Sequence, residues 1–159
     1  PQNFYFNATA LKVPGLDGSG KMGKSEGNCI YLRDDDKTIT KKVMRAVTDN
    51  GPQTPNSTKP QVIENLFTLL KICSTQETYE YFNAKWNDCT LRYGDLKKQI
   101  AQDICKTVAP IRERIQEYSA DSNRLESIAR QGAEVARQSA AATLREVRRI
   151  IGFRDAQQA

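Results

Sequence analysis

Histidine is absent from all 159 residues. Without an imidazole, Ser-His-Asp and Cys-His catalysis and most zinc sites are excluded for this chain acting by itself. Cysteine is scarce. Cys29, Cys73, Cys89 and Cys105 lie too far apart for a CxxC pair and are too few for a disulfide scaffold at this length, so free buried thiols in a reducing cytoplasm are expected. No apolar run approaches the ~18 residues of a membrane-crossing helix. The chain is 38% hydrophobic and 27% charged, the balance of a soluble globular protein with a core. It lacks an initial methionine, starting at Pro1 with no basic-then-apolar leader, and so reads as a cut piece. An acidic excess is also lacking. Lys and Arg total 24 against 19 acids, a net +5 that leans modestly toward polyanionic partners without selecting nucleic acid.

Glycine is present, and concentrated. Gly15, Gly18, Gly20, Gly23 and Gly27 fall within thirteen residues, in a stretch without helical periodicity that reads as a flexible loop. Beyond it the pattern turns helical. Asp34, Asp35 and Asp36 offer caps, and Ile39, Val43 and Val47 repeat every four residues, predicting a helix from about Asp36 to Thr48. A connector rich in Pro, Asn, Ser and Thr follows, and Pro60 opens a second helix. Its wide apolar face, Val62, Ile63, Leu66, Phe67, Leu69, Leu70 and Cys73, belongs in the core. Ser74 with Glu77 fits a capping box for a third helix carrying Tyr79, Phe82 and Trp86, read as core aromatics. Asp95 reads as the next cap. Behind it Leu96, Ile100, Ile104, Val108, Ile111, Ile115 and Tyr118 form one stripe on a long helix that Pro110 should bend. Asp121 or Ser122 caps a last helix that Gly152 can stop, with Leu125, Ile128, Val135, Val147 and Ile150 on one side and Arg130, Arg137 and Arg148 on the other. The fold class is mainly α, a helical bundle.

The stretch Gly18-Ser-Gly-Lys-Met-Gly-Lys24-Ser25 satisfies the Walker A expression, G-x-x-x-x-G-K-[ST], letter for letter. Its surroundings do not. A P-loop needs a buried strand before it and a helix starting at the Lys-Ser pair, so that backbone amides cradle phosphate. Here Leu11-Lys-Val-Pro14 is short and broken by proline, and Glu26-Gly27-Asn28 is no helix start.

The same loop holds Lys21-Met-Gly-Lys-Ser25, which resembles the KMSKS loop of class I aminoacyl-tRNA synthetases. The run from Pro14 to Asn28, the following Lys42-Val-Met-Arg-Ala-Val-Thr-Asp49, and then Tyr93-Gly-Asp-Leu-Lys-Lys98, Pro110-Ile-Arg-Glu-Arg114 and Ala141 to Phe153 are similar, in that order, to the C-terminal half of bacterial-type tryptophanyl-tRNA synthetases. One departure is Gly23, where the family has Ser; a hydroxyl is lost while both lysines remain.

The resemblance implies that residues 1–33 are the KMSKS-loop tail of a Rossmann-like α/β catalytic domain and 34–159 the helical anticodon-binding region. It implies ATP binding by Lys21, Met22, Gly23, Lys24 and Ser25, with Lys21 and Lys24 catalytic, neutralising charge on departing magnesium pyrophosphate. ATP with Mg2+ would enter as substrate, with no resident metal or prosthetic group. The partners implied are tRNA(Trp), tryptophan through an N-terminal half that carries the histidine-containing family motif, and a second copy in a homodimer. Without that half the piece should be catalytically silent, and its first segment poorly ordered. Cations that could face tRNA are Lys41, Lys42 and Arg45, Lys97 and Lys98, and Arg130, Arg137 and Arg148, each equally compatible with a solvated surface. A tyrosyl-type fragment and a non-catalytic helical RNA-binding or scaffold protein remain open as alternatives.

Overall fold

The structure, a computed structural model, describes residues 12–153. Among these residues there is no strand, in keeping with the mainly α expectation. The elements are a single 3-10 turn, Lys24–Glu26, then α1 (Asp36–Met44), α2 (Gln61–Cys73), α3 (Gln76–Asn87), α4 (Tyr93–Ala120) and α5 (Ser122–Ile150). The chain divides into two compact units between Glu113 and Arg114.

The first unit has one core. α2 contributes Ile63, Leu66, Phe67, Leu69 and Leu70, α1 Ile39 and Val43, α3 Phe82 and Trp86, and α4 Leu96, Ile100, Ala101, Ile104 and Val108. Each such aliphatic side chain is worth roughly 1.5–3 kcal/mol on burial. Trp86 anchors the connector before α2 as well as the core: its indole N–H donates to the Ser57 carbonyl at 2.8 Å. The ammonium of Lys59 sits 4.6 Å from the centre of the Phe67 ring and donates to Asn83 Oδ1 at 2.7 Å. α1 is held to α4 by Arg112, which donates to the Asp34 carbonyl at 2.7 Å and to the Asp36 carboxylate at 2.8 Å.

Several boundaries correct the sequence reading. α1 stops at Met44 rather than Thr48. At its end the buried ammonium of Lys97 donates to Met44 O at 3.4 Å and, just past the helix, to Ala46 O at 2.7 Å, taking carbonyls that another turn would have used. The cap of α3 is Thr75, whose hydroxyl accepts from Thr78 N–H. Ser74, assigned to that role by the pattern, closes α2 and donates to Asp103 at 2.6 Å. Asp95 lies inside α4, which begins two residues earlier. α4 continues through Pro110, but the apolar stripe loses its cover there: Val108 is 6% exposed and Ile111 41%.

In the second unit Asp121 caps α5, accepting from Arg124 N–H at 2.9 Å. The left-handed Gly152 ends it, with Phe153 N–H returning to the Arg148 carbonyl at 2.9 Å. No residue of α5 is buried.

Candidate functional site

Polar side chains organise the basic loop. Asn28 is 5% exposed and lies at its centre. Its amide NH2 donates to the Asp17 carboxylate at 3.0 Å, the Ser19 hydroxyl at 2.9 Å and the Lys21 carbonyl at 3.1 Å. Its carbonyl oxygen accepts from Gly23 N–H at 2.9 Å. One side chain therefore spans the loop from Asp17 to Gly23. Gly15 is the glycine this packing requires, because a Cβ there would overlap Asn28, Asp17 and Ser19. The Ser19 hydroxyl holds the Asp17 carboxyl below its ordinary range, helped by Ser19 N–H and the Asn28 amide, so the acid stays ionised inside the network.

A second asparagine fastens this loop to the helical body. Asn65, on α2 and 5% exposed, donates to the carbonyls of Gly18 at 2.9 Å and Ser19 at 3.0 Å, and accepts from Gln61 at 3.0 Å. Val47 N–H adds a bond to the Leu16 carbonyl at 3.0 Å. Upon this base Lys21 and Lys24 project as exposed cations, with Met22 between them half-buried against the core. Met22 N–H donates to Val13 O at 2.7 Å. Lys24 opens the 3-10 turn, following Gly23 in extended conformation, and Ser25 stands exposed beside it. Lys24 also lines an open, largely apolar hollow of about 620 Å3 with Val13, Met22, Ile30 and Tyr31. Two ammonium groups three residues apart, on a ribbon whose base is fixed, can engage adjacent phosphates of a polyphosphate. One 3-10 turn at Lys24–Glu26 and no preceding strand among the described residues is not P-loop architecture.

The other cations separate sharply. Lys41, Arg45 and Lys98 are exposed. Lys42 is half-buried, 2.5 Å from the Asp34 carboxylate and 4.6 Å from the Tyr31 ring centre. The surface role read for Lys97 does not hold: it is 8% exposed, burial lowers its pKa, and its ammonium is committed to α1. On α5, Arg130 pairs with Glu126 at 2.6 Å and Arg137 with Glu134 at 3.2 Å, while Arg148 is exposed.

Residues 2–109 match the family model described as tRNA synthetases class I (W and Y). This chain belongs to that family. A tryptophan–tRNA ligase of Porphyromonas gingivalis is 64% identical over 97% of this chain and 47% of its own length. One from Clostridium longisporum is 38% identical over 91% of this chain and 43% of its own. The fold matches the crystal structure of a tryptophanyl-tRNA synthetase from Campylobacter jejuni complexed with ADP and tryptophane, at a TM-score of 0.72, 24% identity and 90% coverage of this chain. The chain spans about half the length of the relatives it matches.

For a class I synthetase chain, the signature lysines were readable and their supports were not. Asn28 stands at the end of the motif run, but nothing in its spacing marks an amide that folds back across eleven residues. Asn65 left a signal that could have been used: a short amide on an otherwise apolar helix face needs a partner, and a Gly-rich loop has carbonyls to offer. Among the described residues no cluster of His, Cys, Asp and Glu could hold a metal ion.

Proposed function

We propose that this chain is the C-terminal half of a tryptophan–tRNA ligase, residues 1–33 ending the catalytic domain and 34–159 forming the tRNA-facing helical region. The observation that carries this reading is the pair of exposed lysines, Lys21 and Lys24, on a loop with a hydrogen-bonded base. In the complete enzyme the tryptophan carboxylate attacks the α-phosphorus of ATP, a P–O bond breaks and magnesium pyrophosphate departs. Lys24 first, and Lys21 second, neutralise the charge that gathers on the β- and γ-phosphates, with Ser25 and the Gly23 amide as further donors. Met22, packed yet only half-buried, guides the loop as it closes. The tryptophan pocket belongs to the other half, and the enzyme works as a cytoplasmic homodimer. Lys41, Lys42, Arg45, Lys98, Arg130, Arg137 and Arg148 supply non-specific attraction for tRNA. Tryptophan is favoured over tyrosine because the similar relatives are tryptophan–tRNA ligases.

The test uses the full-length synthetase containing this chain. Lys24→Ala should slow tryptophan-dependent ATP–pyrophosphate exchange by ~10²-fold or more, in kcat rather than in tryptophan affinity. Exchange within about threefold of the parent, on the same transition-state argument, would remove the loop from the chemistry.

A further inference from the structure

We propose that Asn65, on α2, is a positioning residue for adenylate formation: by holding the Gly18 and Ser19 carbonyls it fixes the point from which Lys21 and Lys24 reach the departing pyrophosphate. The inference deepens the preceding one and rests on the loop lysines acting on ATP.

Among the described residues, Asn65 is the one helical side chain that hydrogen-bonds the basic loop, and both of its amide hydrogens go there, at 2.9 Å and 3.0 Å. The amide is itself oriented. Gln61, one turn earlier on α2, donates to its oxygen at 3.0 Å, so the NH2 and not the C=O faces the loop. Ile63, Leu66, Phe67 and Leu69 around it in sequence are buried and apolar, so a leucine would continue the pattern. An amide in that company is desolvated at a cost, which its three hydrogen bonds offset.

The place of the clasp decides what it can do. At Gly18 the loop sits directly on α2, where a Cβ would come within 2.9 Å of Val62 Cγ1. Gly20 is the opposite: a Cβ there would meet nothing within 4 Å. The last clasped peptide is therefore Ser19–Gly20, one unpacked glycine follows, and Lys21 is next. Asn28, bonded to Lys21 O and Gly23 N–H, keeps the shape of the loop, whereas Asn65 keeps its place on the helices. A shift of that peptide passes through a single residue to the first cation. Misplacing a group by about 1 Å can cost about 10²-fold in rate. The loss falls on the transition state, because negative charge on the β- and γ-phosphates grows as the bond from the α-phosphorus to the pyrophosphate oxygen breaks.

The experiment compares Asn65→Leu, Lys24→Ala and the double variant of the full-length synthetase in tryptophan-dependent ATP–pyrophosphate exchange. Asn65→Leu keeps a branched side chain and loses the donors. It should lower kcat about tenfold or more while the KM values for ATP and tryptophan stay within about threefold. In the Lys24→Ala background the same change should cost about threefold or less, since a residue that acts through the lysines has little left to position. A kcat within twofold of the parent, a loss carried by KM, or equal fold losses in the two backgrounds would each overturn the proposal. If Asn65→Leu fails to fold by circular dichroism, Gln61→Ala decides. Gln61 is exposed, and its loss frees the amide to turn, for an expected fall in kcat of about threefold that disappears in the Lys24→Ala background; a parental kcat would overturn the proposal. Lys24→Ala exchanging as the parent does would refute the role of the lysines, whereas a slow Lys24→Ala beside a parental Asn65→Leu would refute the role of Asn65 alone.

Discussion

The basic loop and the helical body are both ordered, by opposite means. In the body, Phe67, Trp86, Ile63, Leu70, Leu96 and Ile100 are almost entirely sealed from water and pack on one another. In the loop, position comes from Asn28, Asp17, Ser19 and, from across the interface, Asn65. A buried apolar side chain contributes roughly 1.5–3 kcal/mol, whereas a typical internal hydrogen bond nets about 0.5–1.5 kcal/mol because water competes for the same groups. Polar pinning therefore defines geometry closely at little cost to release. A segment held in this way can leave its resting position without disturbing the core.

Two substitutions put this contrast under strain. Trp86→Ala should cost about 3–5 kcal/mol of global stability, from the cavity left in the core and the lost indole bond to Ser57. Trp86 is the only tryptophan, so the denaturant midpoint is read by circular dichroism. Asn28→Ala should cost about 1–3 kcal/mol of local stability by leaving Gly23 N–H without its acceptor and the Lys21 carbonyl with the Ser19 hydroxyl as its remaining donor. Its effect belongs in faster tryptic cleavage at Lys21 and Lys24 and faster amide exchange through the loop, with the global midpoint moving far less than for Trp86→Ala. Equal global losses from the two variants would show that loop and body are one cooperative unit.

Legibility follows the same division. Periodicity located α2, α3 and most of α4, because burial of a helix face is written in the repeat of large apolar residues: Ile63, Leu66, Phe67 and Leu70 needed no tertiary knowledge. Boundaries set by partners distant in sequence were not legible. α1 ends where Lys97 reaches it from α4, and Ser74 serves Asp103 instead of the helix beside it. Lys97 and Lys98 look alike in sequence, yet one is sealed and the other exposed, since a 100° step on α4 separates the core face from solvent. The apolar face of α5 shows the converse. Its pattern is as strong as that of α2, but Leu125, Ile128, Val135 and Ile150 remain 44% to 70% exposed. Periodicity reports that a face can be covered, not what covers it. In the basic loop, Lys21 and Lys24 stand out by type and spacing within a Gly-rich run, while Asn28 and Asn65, which fix the loop, are prescribed only by the path of the chain.

The smallest expected effect probes where each region places its left-handed backbone. Positive φ in the loop falls on glycines, Gly18 and Gly27, whereas beyond it Asn56 and Cys89 adopt it as well as Gly51 and Gly152. At Gly18 there is no alternative, because a Cβ would sit 2.9 Å from Val62 Cγ1 in addition to the strain of φ 88°. At Cys89 a side chain is tolerated at a cost of about 1–2 kcal/mol for the left-handed conformation, and glycine would remove it. Glycine also loosens the unfolded chain, returning about 0.4–1 kcal/mol of that gain. Cys89→Gly should therefore stabilise the protein by about 0.5 kcal/mol, raising the thermal midpoint by a few degrees at most. A clear destabilisation would mean that the half-buried thiol packs for more than its backbone strain costs. The α3–α4 turn would then be held by its side chain, like the body, and not by the backbone bonds that Thr90 and Cys89 return to Lys85 and Trp86.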